Sequence, residues 1–318
     1  MKPHAGPILS AIPATVTRAH RSLDEIVPST ARIEKLAGGF GFTEGPVWTK
    51  EGYLLFSDIP NNVICRWTPD GALSEFRRPS GYDGTDAAPG ALIGSNGLTL
   101  DREGRIVICE HGNRRVTRIE LDGQVTVLAQ SYQGKRLNSP NDAVYRSDGA
   151  LYFTDPPYGL AKRDEDPSKE LPFNGIYCLA HEALHLASID LTRPNGLAFS
   201  PDERYLFVAN SDHERKIWMR FEVRSDGALE NGGLFYDATS ATQPGVPDGM
   251  KVDRIGNLYC TGPGGIWIFS PAGTHLGTID FPEIPANCAW GDEHAMTLYV
   301  TARTSLYRIR LNIPGIRP

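Results

Sequence analysis

The sequence predicts an all-β chain folded as a six-bladed β-propeller with a short N-terminal extension. Three observations carry that prediction. The chain repeats one pattern six times, and the copies begin roughly 40–55 residues apart, the length of a four-stranded blade. No stretch sustains the 3.6-residue apolar period of a helix. With 318 residues, 40% of them hydrophobic and 22% charged, there is material for a large core.

Residues 1–31 precede the repeats. Their run "MKPHAGPILSAIPATVTRAHRSLDEI" is broken by proline and charge before an apolar segment develops, so it reads as an extension and not as a signal peptide or membrane span. The propeller is assigned to residues 32–318, with residues 32–36 expected to add a strand to the last blade and close the ring, because closure removes sheet edges. The six units are "EGPVWTKEGYLLFSDIPNNVICRWTPDG", "NGLTLDREGRIVICEHGNRRVTRIELDG", "NDAVYRSDGALYFTDPPYG", "NGLAFSPDERYLFVANSDHERKIWMRFE", "DGMKVDRIGNLYCTGPGGIWIFSPAG" and "NCAWGDEHAMTLYVTARTSLYRIRL". Each runs from a polar residue into a short strand rich in β-branched and aromatic residues, through a turn with Asp, Gly or Glu, into a second strand and usually a third. The segment "SKELPFNGIYCLAHEALHLASI" is the one place where a turn of helix competes with strand.

The polar residues that open the units are Glu44, Asn96, Asn141, Asn195, Asp248 and Asn287. In a propeller the innermost strand of every blade lines the central channel, so equivalent positions project into one shared space. A single Asn-Gly or Asp-Gly pair reads as a turn; the set does not, because Glu44 is a poor turn former and Asn141 precedes Asp142. All six side chains offer oxygen and none offers imidazole or thiolate. That chemistry suits a hard divalent cation such as calcium, whereas zinc or copper recruits His or Cys.

Composition removes other classes. A net charge of −6 gives no electrostatic case for nucleic acid. No run reaches the length needed to cross a bilayer. The five cysteines, Cys65, Cys109, Cys178, Cys260 and Cys288, are scattered through apolar runs with no C-x-x-C, as expected for reduced thiols in a cytoplasmic protein. The stretch "AGGFGFTEG" lacks the third glycine and the βαβ setting of a dinucleotide loop, and no G-x-S-x-G elbow occurs.

The motifs "TEGPVW", "SPNDAVYRSDGALYFTDPPYGL", "RPNGLAFSPDERYLFVANS" and "GVPDGMKVDRIGNLYCTGPGGIWIFSPAG" resemble those of the senescence marker protein, gluconolactonase and luciferin-regenerating enzyme family, particularly its bacterial gluconolactonase branch. The resemblance implies a metal-dependent lactonase acting on a small sugar lactone, with one divalent ion at the channel mouth: calcium first, with magnesium, manganese and zinc as the other candidates. It places the metal ligands on Glu44, Asn141, Asn195 and Asp248. Some members carry an arginine two residues before the Asn of the "ND" motif; this chain has Ser139 there.

Lactone hydrolysis suits such a site, since a divalent ion polarises the carbonyl and acidifies a bound water. Asp248 is expected to take the water's proton, with Glu44 mainly an anchor. Asn96, His111 and Tyr158 are the expected substrate contacts, and Asp142 is expected to steady a ligand from behind. An acidic channel leads one to expect neutral sugar lactones ahead of anionic esters. The competing readings are a non-catalytic propeller that binds a protein or small ligand, and a cofactor-dependent sugar oxidoreductase.

Overall fold

The computed structural model describes residues 3–87 and 90–318. Six antiparallel sheets stand around a central channel. The first blade runs outward through Thr43–Trp48, Leu54–Asp58, Val63–Trp67 and Leu73–Arg77, and the other five repeat its order. The remaining innermost strands are Ser95–Leu100, Ala143–Tyr145, Pro194–Phe199, Met250–Val252 and Pro285–Gly291. Burial follows position. Every residue of Thr43–Trp48 is buried, whereas the outer strand Leu73–Arg77 is half-buried or exposed. Inner strands are covered on both faces by neighbouring blades, which is why their sequences read as continuous apolar runs with a polar start.

Apolar clusters fill each interface between successive blades. Val47, Leu55 and Ile64 of the first blade meet Leu98, Ile106 and Ile108 of the second. Between the sixth and first blades, Trp48 stacks on Tyr299 with ring centroids 5.2 Å apart.

The ring closes as the sequence predicts. Strand Arg32–Gly38 pairs antiparallel with Ser305–Arg310 and so completes the sixth blade from the other end of the chain. The segment before it is built into the same region. His4–Pro13 pairs with Arg32–Gly38, giving the sixth blade a fifth strand, and Thr15–Arg18 does the same for the fifth blade by pairing with His275–Asp280. A four-residue helix, Leu23–Ile26, follows; Leu23, Ile26 and Val27 are buried in the apolar cluster between these two blades.

The helical alternative for "SKELPFNGIYCLAHEALHLASI" is not what forms. Gly175–Ala180 and Ala183–Ser188 are strands that pair as far as Ala180 and Ala183. The two residues between them, His181 and Glu182, have φ of 50° and 63°. Two left-handed residues make the tight hairpin whose twist matches the strands, here without the usual Asn-Gly. A 3₁₀ turn, Arg163–Glu165, lies just ahead of the segment. Among the described residues all five cysteines are buried and free, and no helix is long and apolar enough to cross a membrane.

Candidate active site

The six polar residues that open the repeats lie on or just before the six innermost strands. Register shifts interrupt the inner strands at Glu44–Val47, Ser95–Leu98, Pro194–Leu197 and Pro285–Asn287. Such bulges re-aim a side chain at the point where pairing breaks. The glycine that follows several of these residues serves close approach and not a turn. A Cβ at Gly45 would sit 2.0 Å from the Asn96 carbonyl oxygen, and one at Gly196 2.3 Å from that of Asp248. Asn96, Asn141 and Asp248 thus each lean a backbone carbonyl on the glycine of the blade before. A hydroxyl on the second strand fixes the same backbone: Ser57 donates to the Asn96 carbonyl at 2.7 Å and Thr154 to that of Asn195 at 2.8 Å.

One cavity of ≈ 620 Å³ collects the predicted side chains. Glu44, Asn96, His111, Asn141, Tyr158, Asn195 and Asp248 all line it. Asn287, the sixth ring member, does not; it stands behind Glu44, donating from Nδ2 to Glu44 Oε2 at 3.0 Å and to Asp142 Oδ2 at 3.4 Å. A second cavity, ≈ 460 Å³, occupies the opposite ends of the inner strands beside Trp48, Leu100, Phe199 and Trp290, and none of the ring side chains enters its wall.

The electrostatics of the first cavity are costly. Burial, then the Asp142 charge, raises the Glu44 pKa from 4.5 to about 7, against the pull of the Gly45 N–H, Asn287 and Lys251. Asp248 is pushed well above the ordinary carboxylate range by burial and by Glu44 and Asp142. Burial also raises Asp142, with Lys251 opposing. Carboxylates so crowded are uncomfortable as anions unless a cation joins them.

Two amides sharpen the point. Asn195 donates from Nδ2 to Ser211 Oγ at 2.7 Å, and Asn96 from Nδ2 to His111 Nε2 at 3.1 Å. Their Oδ1 atoms are buried with no hydrogen-bond partner. Unpaired buried acceptors are rare and call for a ligand. Among the described residues no group of three or more His, Cys, Asp or Glu is placed to hold a metal ion, so a metal here would depend on amide oxygens as well as carboxylates. Carboxylates at Glu44 and Asp248 with amide oxygens from Asn141 and Asn195 fit a hard divalent cation.

His111 is fully buried, and both ring nitrogens are engaged: Nε2 accepts from Asn96, and Nδ1 donates to the Leu92 carbonyl at 3.2 Å. Burial lowers its pKa to about 4, so it is neutral at pH 7. Tyr158 is half-buried and carries the Arg163 guanidinium 5.5 Å from its ring centroid. Its loop is pinned to that of Asn141. Asp155 accepts from the Asn138 and Ser139 amides at 2.7 and 2.8 Å, and Ser139 Oγ donates to the Pro156 carbonyl at 2.6 Å. Ser139 is thus fully buried and ties two loops together.

Sequence reasoning missed several neighbours. Lys251 offsets Glu44 and Asp142 from the far side of the ring, and Ser211 orients Asn195. Arg163, Arg193 and Arg303 line the cavity from connections between strands, the first two outside the repeat units and Arg303 within the sixth. Ser211 was within reach, since a Ser or Thr recurs in "FSD", "FTD", "ANSD" and "YVTA" on the second strands.

The chain is similar to known proteins along most of its length. The model of the SMP-30/Gluconolactonase/LRE-like region matches residues 42–304. A gluconolactonase of Zymomonas mobilis is 40% identical over 316 residues, covering 94% of this chain and 87% of that one. Human regucalcin is 24% identical over 278 residues, covering 81% of this chain and 82% of that one. Among solved structures, a gluconolactonase from Xanthomonas campestris superposes with a TM-score of 0.81 at 34% identity, covering 96% and 98% of the two chains. A calcium-binding regucalcin from Agrobacterium tumefaciens gives 0.67 at 18% identity over 87% and 92%, a likeness of fold.

Proposed function

The chain belongs to the SMP-30/gluconolactonase/LRE-like family, and from that premise we propose that it is a metal-dependent lactonase that opens sugar lactones by hydrolysis. One observation carries the metal part of this reading: the Asn195 amide oxygen, buried and without a partner, lines the same cavity as two carboxylates whose pKa values are raised. Glu44, Asn141, Asn195 and Asp248 would hold the ion, with calcium first because every donor is oxygen. When bound, a divalent cation supplies Lewis-acid polarisation of the lactone carbonyl and a more acidic water.

The chain's own residues do the rest. Asp248 takes a proton from the attacking water at its carboxylate as the new C–O bond forms at the carbonyl carbon. It returns that proton to the ring oxygen as the C–O bond of the ester breaks, leaving a hydroxy acid. Glu44 anchors, held by Gly45 and Asn287. Neutral His111 is a poor base at pH 7 and acts instead by turning the Asn96 oxygen toward the cavity, where it accepts a substrate hydroxyl. Tyr158 closes the side of the cavity against the sugar.

The test is hydrolysis of gluconolactone by protein stripped with a chelator and reloaded with calcium, magnesium, manganese or zinc. Activity should vanish on stripping and return on reloading. Turnover that survives complete metal removal would sink the reading.

A further inference from the structure

The wall of the cavity carries three guanidinium groups, and two of them form no ion pair among the described residues, although the charge of Arg303 reaches Asp248. Arg193 pairs with Asp164. Arg163 and Arg303 have no carboxylate partner among the described residues, although Arg105, Arg115, Arg118, Arg146 and Arg224 each form ion pairs. Each of the two lies over an aromatic ring: Arg163 is 5.5 Å from the centroid of Tyr158 and Arg303 5.6 Å from that of Phe42. That contact holds a flexible side chain in place without neutralising its charge.

Both arginines sit in the connection between the second and third strands of their blades, Arg163 with φ of 51° and Arg303 with φ of 46°, and the same connections of the first and second blades place Asn62 and Arg114 at positive φ. Arg303 is locked there, its carbonyl accepting the amide of Thr43, the neighbour of Glu44, at 2.7 Å. The two residues face each other across the ring, since Arg163 belongs to the third blade and Arg303 to the sixth. Both arginines are exposed, and the same wall also carries two acids outside the ring, half-buried Asp212 and exposed Glu214. Asp212 accepts from Thr192 Oγ1 at 2.6 Å and from the Glu214 amide at 3.0 Å. Glu44 and Asp248 lie with the proposed ion.

We propose that Arg163 and Arg303 recognise an anionic group, so that the preferred substrates are lactones bearing a carboxylate or a phosphate away from the scissile ester. This rests on the reading of the cavity as a lactonase site. It reverses the expectation drawn from an acidic channel, because above the acidic ring the wall carries three arginines, Arg163, Arg193 and Arg303, against two acids, Asp212 and Glu214. Guanidinium is suited to either anion, since its planar fork donates two hydrogen bonds to one group. A cavity of ≈ 620 Å³ leaves room for the added substituent.

The experiment compares kcat/KM of the calcium-loaded protein for gluconolactone, the monolactone of glucaric acid and 6-phosphogluconolactone, at low and high salt. At least one anionic lactone should exceed gluconolactone by about tenfold or more, with the advantage shrinking as salt rises. The arm that leads identifies carboxylate or phosphate as the group recognised. In the Arg163→Gln/Arg303→Gln double variant the anionic-to-neutral ratio should collapse toward one, and the double Lys variant should restore part of it. Calorimetry of glucarate, 6-phosphogluconate and gluconate binding gives a readout independent of turnover and should follow the same order. Equal or greater kcat/KM for gluconolactone, or a ratio unchanged in the double variant, would overturn this inference and leave lactone hydrolysis standing. Failure to hydrolyse any of the three would overturn the lactonase reading instead.

Discussion

Replacing Glu44 by Gln is expected to stabilise the metal-stripped protein at alkaline pH. The carboxyl is 2% exposed, and burial together with Asp142 raises its pKa from 4.5 to about 7. Between those values the folded state keeps a proton that the unfolded chain has released, so stability falls as pH rises through the window. At roughly 1.4 kcal/mol per pH unit, the ionised carboxylate costs about 3 kcal/mol once the pH exceeds 7. Gln carries no such cost, and its amide oxygen accepts the same two bonds, from the Gly45 amide and from Asn287 Nδ2. His111 works in the opposite sense: its pKa is lowered from 6.5 to about 4, so it adds stability as pH rises through that range. Both proteins contain His111, and its contribution cancels in their difference. Calcium should invert the order, because a ligand at a thousandfold excess over its Kd stabilises by about 4 kcal/mol and the variant binds it less tightly. The assay is denaturant unfolding of both proteins at pH 5, 6, 7 and 8.5, in chelator and in calcium. In chelator the variant's advantage should grow from about 1 kcal/mol or less at pH 5 to about 3 kcal/mol at pH 8.5, and in calcium the wild type should lead. A stripped wild type that loses no more stability than Glu44→Gln across this range would refute the argument that burial and Asp142 set the Glu44 pKa.

Three further outcomes are expected. At saturating calcium Glu44→Gln should recover much of its kcat in a steady-state lactonase assay, whereas Asp248→Asn should stay about 10²- to 10⁴-fold slow, the usual loss on removing a general base; recovery by Asp248→Asn would reduce Asp248 to a ligand. Gly196→Ala sets a methyl 2.3 Å from the Asp248 carbonyl oxygen, so titration calorimetry should give weaker calcium binding although every ligand side chain remains; an unchanged Kd would show that the blades can separate there freely. Leu23→Ala removes a fully buried side chain between the fifth and sixth blades, so chemical denaturation should register a loss of about 2–5 kcal/mol, while metal affinity in the folded protein should not change.

The ring was legible because its members share a residue class as well as a spacing. Glu44, Asn96, Asn141, Asn195 and Asp248 do line one cavity, and only in the closed propeller do residues so far apart in sequence meet. Their glycines were the misleading part. "NG" and "DG" are turn signals in most chains, yet Gly97 and Gly196 are strand residues that let the next blade's backbone approach. A hairpin glycine and a packing glycine look alike in one dimension. The outer strands of the N-terminal segment hid for a different reason. His4–Pro13 and Thr15–Arg18 are mostly exposed on both faces, so they lack the apolar alternation that marks a strand, and only the sheet edges they cover give them their form. The arginines were hidden more completely, since Arg163 and Arg303 both sit between the second and third strands of a blade, in connections whose length and sequence change from blade to blade.

The site's dependence on the closed ring ties binding to folding. Glu44, Asn141, Asn195 and Asp248 come from the first, third, fourth and fifth blades, so none of the proposed ligands has a neighbour in the set on its own blade. No single blade, and no pair, carries more than half of them. A partly opened propeller would therefore lose the ion together with its ring, and the binding energy would act on the global transition and not on local fraying. The same geometry explains the cost of the raised carboxylate pKa values: Glu44 and Asp248 reach each other only because the blades meet, and the repulsion between them opposes closure that the interblade cores, the ring-closing strand Arg32–Gly38 and the N-terminal strands must overcome.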